Sequence, residues 1–221
     1  MRFALNHVVF IMVIAAGGCE KQKEPARPSS AAVPKADSTD QPAAAPASAD
    51  LSTAAAMNGR TLALTGLTMT VPNGWEREAV EPGPLAAKAA FRLPKAEGDA
   101  RDGSVRITHY PNMKGMPGMA EMNINRWVGQ VSQADGNPYP RDQVKPQVTE
   151  KGRVRLTAVD LTGRVNPGMM GGGQSLPDHR MIAAIIDHPQ GPHFVKVLGG
   201  SATIERWGSA INDFLHNATV P

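Results

Sequence analysis

Residues 60 to 221 predict an α+β domain: a largely antiparallel sheet of six or seven strands with two packing helices. Three observations predict it. Short runs that alternate apolar and polar residues recur at hairpin spacing, separated by Gly, Pro and Asn turns. The run Met181 to Ile186 is apolar on both parities, as a strand covered on both faces must be. Only two segments carry helical periodicity, one in the middle and one at the end, so most strands follow one another directly.

Thr61 to Leu64 and Leu67 to Val71 alternate large apolar with small or polar residues, and Pro72-Asn73-Gly74 turns the chain so that Trp75 caps the core. Ala86 to Leu93 reads as a strand stopped by Pro94. Glu97 to Gly103 is an acidic turn. It lacks the alternating oxygen ligands and closing glutamate of a calcium loop, so a hairpin connection is expected. Val105 to Tyr110 gives another strand. From Ala120 to Ser132 the residues Ile124, Trp127, Val128 and Val131 fall on one helical face, and Asp135 to Pro138 ends that helix.

Gln147 to Glu150 turns through Lys151-Gly152 into a long strand, Val154 to Val165. The glycine-rich segment 166–174 is expected to be mobile. Met181 to Ile186 belongs at the centre of the sheet, with Asp187 to Pro192 as a loop and His193 to Leu198 as its partner strand. A last helix spans Ala202 to His216, with Ser201 or Thr203 as N-cap and Ile204, Trp207, Ile211, Phe214 and Leu215 on its apolar face. A buried Trp207 implies a loss of about 3–5 kcal/mol on truncation to alanine.

The chain ahead of this domain says where it works. Arg2 precedes an apolar run, Val8 to Ala16, too short to span a bilayer and of signal-peptide length. Ala16-Gly17-Gly18-Cys19 resembles the bacterial lipobox, departing from it at Ala16, where leucine is usual. Residues 1–18 then form a lipoprotein signal peptide, and Cys19, the single cysteine of the chain, carries the lipid. The alternative is an ordinary secretory signal that leaves Cys19 as a spare thiol, which an oxidising compartment disfavours. Cys19→Ser is expected to move the protein from the membrane to the soluble fraction on cell fractionation; a variant that stays on the membrane overturns the anchor.

Residues 19–59 are rich in Ala, Pro and Ser and hold no aromatic residue, a composition that does not repay the entropy of ordering. As a flexible tether they reach roughly 35 Å. The expected location is extracytoplasmic, on the outer membrane in preference to the inner, because Glu20 rather than aspartate follows Cys19. The formal charge of +3 falls by one when Arg2 leaves with the leader, and no basic stripe with interleaved aromatics follows, so nucleic acid is not an expected partner.

Four strings are familiar: Phe91-Arg-Leu-Pro-Lys-Ala-Glu-Gly-Asp99, Asn125-Arg-Trp-Val-Gly-Gln130, Arg180-Met-Ile182 and Gly191-Pro-His-Phe-Val-Lys196. They resemble a family of uncharacterised bacterial lipoproteins, and the element order resembles the fold of PsbP, an extrinsic photosystem subunit. The resemblance implies an αβα sandwich around an antiparallel sheet and an accessory role. It implies no functional residue.

Several residues are candidates for chemistry. Met113, Met116, Met119 and Met122 recur every third residue beside His109, and Met169-Met170 sit in a second loop; thioethers suit Cu(I). Methionine also fills irregular packing gaps and builds adaptable contact surfaces. His188 and His193 flank a five-residue turn with Asp187 beside them, but no further zinc ligand stands nearby in sequence. Lys196, Arg126 and Arg180 could line an anion cleft or pair with Asp160, Asp187 or Glu205. No nucleophile elbow, zincin motif, Cys-x-x-Cys or phosphate loop is present. The expectation is a non-catalytic accessory domain, without cofactor, that binds an envelope protein. The alternatives are a small-ligand or Cu(I) carrier, then a hydrolase of unrecognised type.

Overall fold

Two antiparallel sheets carry the fold, in a computed structural model that describes residues 56–58, 60–83, 86–166 and 175–221. The signal peptide, Cys19, nearly all of the tether, Met169, Met170 and most of the glycine-rich segment lie outside the described residues. The first sheet joins β1 (Ala56–Asn58), β2 (Thr61–Leu64) and β3 (Leu67–Thr70) in that order. Its first strand falls in the stretch that composition assigns to the tether.

The second sheet has eight strands, two beyond the six expected ones that enter it; the other two expected strands, Thr61 to Leu64 and Leu67 to Val71, lie in the small sheet. They are β4 (Glu76–Glu78), β5 (Ala89–Leu93), β6 (Gly103–His109), β7 (Val131–Ser132), β8 (Gln147–Lys151), β9 (Val154–Val165), β10 (Leu176–Asp187) and β11 (His193–Gly200). Their spatial order is β4-β5-β6-β11-β10-β9-β7, and β8 pairs with β9 on the same side as β7. The extra strands are β4 and β7, of three and two residues, too short to show a period.

β10 lies between β11 and β9, as its two apolar faces require. Ala184 and Ile186 enter one core, with Leu62, Met69, Trp75, Phe91 and Phe214. Met181, Ala183 and Ile185 enter the other, with Trp127, Val128, Leu161 and Phe194. The small sheet and the C-terminal helices therefore cover one face, and the helix α1 (Met119–Val128) covers the other. On the first face Trp75 and Phe214 have ring centroids 4.9 Å apart. Phe214→Ala is expected to cost about 3–5 kcal/mol in urea unfolding, because a fully buried ring leaves a cavity; a loss near zero would mean that this face collapses freely.

Three local expectations are corrected. Helix α1 ends at Val128, and Val131 instead enters β7 opposite Val165; the break at Gly129 lets the chain turn back onto the sheet. The C-terminal helix is two helices, α2 (Ser201–Arg206) and α3 (Gly208–His216), divided at Trp207. Trp207 is half-buried, its indole N–H donating to the Pro94 carbonyl at 3.0 Å, so it contributes less than full burial would. Neither Ser201 nor Thr203 caps α2 with its side chain. The acceptor comes from far away in sequence: Asp99 Oδ2 takes the Thr203 N–H at 2.6 Å and its hydroxyl at 2.5 Å.

One glycine is obligatory where β7 packs against β9. A Cβ on Gly163 would stand 2.1 Å from the Ser132 carbonyl oxygen, so only glycine lets β7 pack there. Between β7 and β8 the backbone of β9 is served by a side chain. Tyr139 donates its hydroxyl to the Thr162 carbonyl at 2.5 Å and accepts the Thr162 N–H at 3.2 Å.

Candidate metal centre

Three strand ends meet at one end of the large sheet and bring three histidines together. His109 closes β6, His193 opens β11, and the two are register partners in the antiparallel ladder, so their side chains share a face. His188 follows β10 immediately and is carried beside His193 by the short β10–β11 turn. That turn is held tightly: Gly191 has φ +101°, and a Cβ there would stand 2.7 Å from Pro111 Cα.

All three imidazoles are buried, and one ring nitrogen of each lies within 4.8 Å of the others; among the described residues this is the one such group. His188 Nε2 and His193 Nδ1 are 2.9 Å apart and share a hydrogen bond. His109 Nε2–H donates to the Gln190 carbonyl at 3.1 Å, and the Gln190 N–H donates to His188 Nδ1 at 3.3 Å. The rings stack, His109 on His193 at 4.2 Å and 11°, His193 on His188 at 5.0 Å and 18°. Parallel rings keep their lone pairs in parallel planes, so converging on one ion requires the rings to rotate about χ2.

Electrostatics favour the neutral, ligating form. Burial depresses the pKa of His109, and the Lys88 ammonium depresses it further against the opposing hydrogen bond to Gln190. Burial also lowers His188, aided by the charge of His109 and opposed by Asp187. His193 falls to about 2, through burial first and then the charges of His109, His188 and Lys88.

The sequence pairs His188 with His193 but assigns His109 to the methionines. The structure instead supplies His109 as the third imidazole. The four methionines occupy different settings: Met119, the first residue of α1, is buried in the core, Met113 packs half-buried against that core, and Met116 and Met122 are exposed. The other candidate cations take separate hydrogen-bond partners. Arg180 makes two bonds to Asp160, at 2.8 and 2.5 Å, with Glu205 adding a weak favourable charge. Lys196 donates to Gln130 Oε1 at 2.8 Å, and burial together with Arg126 lowers its pKa. Arg126 itself donates to Asn123 Oδ1 at 3.1 Å.

Two further features flank the cluster. A hollow of about 300 Å³, lined by Lys114, Arg153, Arg155, Asp187 and His188, opens at the surface. A larger cleft of about 1000 Å³ runs between α1, residues 141–148 and β9–β10, with Met116, Met119 and Val148 among its walls. No described helix is long and apolar enough to cross a membrane.

No family model matches the chain, and no curated protein sequence matches it. Solved structures do. A Synechocystis protein, cyanobacterial PsbP, is 13% identical with a TM-score of 0.46 and covers 81% of this chain and 98% of its own. The Ran-binding protein Mog1p of Saccharomyces cerevisiae is 11% identical, TM-score 0.41, over 75% of this chain and 96% of its own. A Pseudomonas aeruginosa protein of unknown function, PA94, is 11% identical, TM-score 0.41, over 73% and 95%. These likenesses concern the fold alone.

Proposed function

We propose that the chain is a lipid-anchored envelope lipoprotein whose folded domain carries a borderline divalent transition-metal ion on His109, His188 and His193. The observation behind this reading is the convergence of three buried imidazoles from three segments, with nitrogens within 4.8 Å of one another. Each is held neutral by its surroundings, which is the form that binds metal. An all-imidazole set suits Zn²⁺, Cu²⁺ or Ni²⁺ and leaves a tetrahedral ion one position for an outside ligand. The envelope location rests on the leader, its small-residue cleavage point and the single cysteine.

Titration calorimetry of Zn²⁺ into residues 19–221 carrying Cys19→Ser tests it. One ion per chain with a Kd below about 1 µM is expected. No saturable heat, or binding that survives His109→Ala unchanged, overturns the reading.

A second reading keeps the accessory role. Among the described residues β8 pairs only with β9, all five of its residues are exposed, and Val148 stands on the wall of the large cleft. An extended apolar segment of an envelope protein fits this edge by adding a strand. A photo-cross-linker at Val148 in living cells is expected to trap one envelope protein, and the same probe at Glu97, exposed and outside that cleft, to trap less; equal yields at both positions overturn the docking edge.

A further inference from the structure

Helix α3 covers only part of the sheet face on which it packs. Its Ile211 and Leu215 enter the core with Leu156, but Ala158 of β9 and Ile182 of β10 stay half-exposed beside them. Strand β8 walls the far side of the strip that α3 leaves open. β8 pairs with β9 in the register Gln147↔Ala158 and Thr149↔Leu156, so Gln147 and Thr149 stand on the α3 face while Val148 lines the large cleft on the other. The result is a groove of about 340 Å³ with an aliphatic floor between a helix and a strand. Small-molecule sites fall in the range of roughly 300–1,000 Å³.

Charge gathers at one end of this groove. From Leu156 through Ala158 to Asp160 along β9, the antiparallel partner runs from Thr149 through Gln147 and on to Lys145, which also lines the groove. Arg180 lines it as well and holds both oxygens of Asp160 through Nε and Nη2, so Nη1 takes no part in that pair. Lys145 has no ion pair among the described residues. Asp160 is the only carboxylate of the lining, so two cations face one acid that is already satisfied.

We propose that this groove is a binding site for a small aliphatic monocarboxylate, with its carboxylate at Lys145 and Arg180 and its hydrocarbon body on Ala158, Ile182 and Ile211. Covering the half-exposed floor supplies the apolar part of the affinity, and the charge-assisted bonds set the orientation. A second negative charge on the ligand would lie over the aliphatic floor without a cation to meet it, which selects against dicarboxylates. None of the lining residues belongs to the histidine cluster, so the site stands apart from the metal reading.

The test uses ¹⁵N-labelled residues 19–221 with Cys19→Ser, in EDTA so that the histidines hold no metal, titrated with sodium 4-methylpentanoate at constant ionic strength. Amide shifts that saturate with a Kd below about 1 mM are expected at residues 147–149, 156–160, 180–182 and 208–216. The uncharged 4-methylpentanamide is expected to bind at least about fivefold more weakly, and so is the carboxylate in Lys145→Met. Gly208 lines the groove, and a Cβ there meets nothing within 4 Å, so Gly208→Phe adds a ring without displacing backbone. That variant is expected to weaken binding at least about tenfold. Spectra recorded before ligand is added show whether each variant has kept its fold. Shifts that never saturate, or that centre instead on Lys114 and Arg153 at the hollow beside His188, overturn the site. An amide that binds as well as the carboxylate, or an affinity unchanged in both variants, overturns it equally.

Discussion

Alanine at His109, His188 or His193, each singly, is expected to abolish almost all of the stabilisation that Zn²⁺ gives the parent protein. A ligand that binds only the folded chain stabilises it by RT ln(1 + [L]/Kd), about 4 kcal/mol at a thousandfold excess over Kd. For a domain of this length each kcal/mol shifts Tm by about 2–4 °C, so the parent's midpoint rises by about 8–16 °C. If losing one of three ligands raises Kd a thousandfold, the same Zn²⁺ concentration stabilises the variant by only about 0.4 kcal/mol. Differential scanning calorimetry with and without Zn²⁺ reads the difference. The metal-free midpoints separate this from damage to the fold, since each variant also loses buried ring contacts and stacking partners. The result that overturns the assignment is a Zn²⁺ shift that persists in all three variants, or none in the parent.

The core was more visible in the sequence than the site, for a physical reason. Burial imposes a period, and periods survive in one dimension. β10 could be placed at the sheet centre from its two apolar parities, and α1 from Ile124, Trp127 and Val128 on one face. What joins two distant segments leaves no period. His109 reaches His193 through the pairing of β6 with β11, 84 positions apart, and nothing local marks that register. The only trace was parity: His109 falls on the same side of β6 as Val105 and Ile107, and His193 on the same side of β11 as Val195 and Val197. A histidine continuing an apolar face is a buried histidine. Asp99 shows the same limit, since it serves α2 from a hairpin connection more than one hundred residues upstream. The short strands β4 and β7 were missed because two or three residues cannot display alternation.

The metal-free domain is expected to lose stability as pH falls below about 6.5, well before carboxylates titrate. His193 is held near pKa 2 when folded and returns to about 6.5 when the chain unfolds, so the unfolded state binds the extra proton throughout that window. A depressed folded value means the stability is complete above the unfolded pKa and is withdrawn as pH drops towards the folded one. At pH 4.5 the chain is two units below 6.5, which for His193 alone amounts to about 3 kcal/mol. His109 and His188 are shifted in the same direction and add to the slope. Burial sets the sign at all three histidines, and the facing charges adjust it: the Lys88 ammonium adds to the depression at His109 and His193, while Asp187 opposes it at His188. Asp102 and Asp135 have pKa values below the ordinary carboxylate value, so they stay ionised across this range and do not share in the loss. Urea unfolding in EDTA at pH 7.0 and 4.5 measures the drop. His193→Gln removes the largest contributor, and its drop between the two pH values should be smaller than the parent's by at least about 2 kcal/mol. Equal drops in the two proteins would place the acid sensitivity elsewhere and would mean that His193 is not held neutral by its burial.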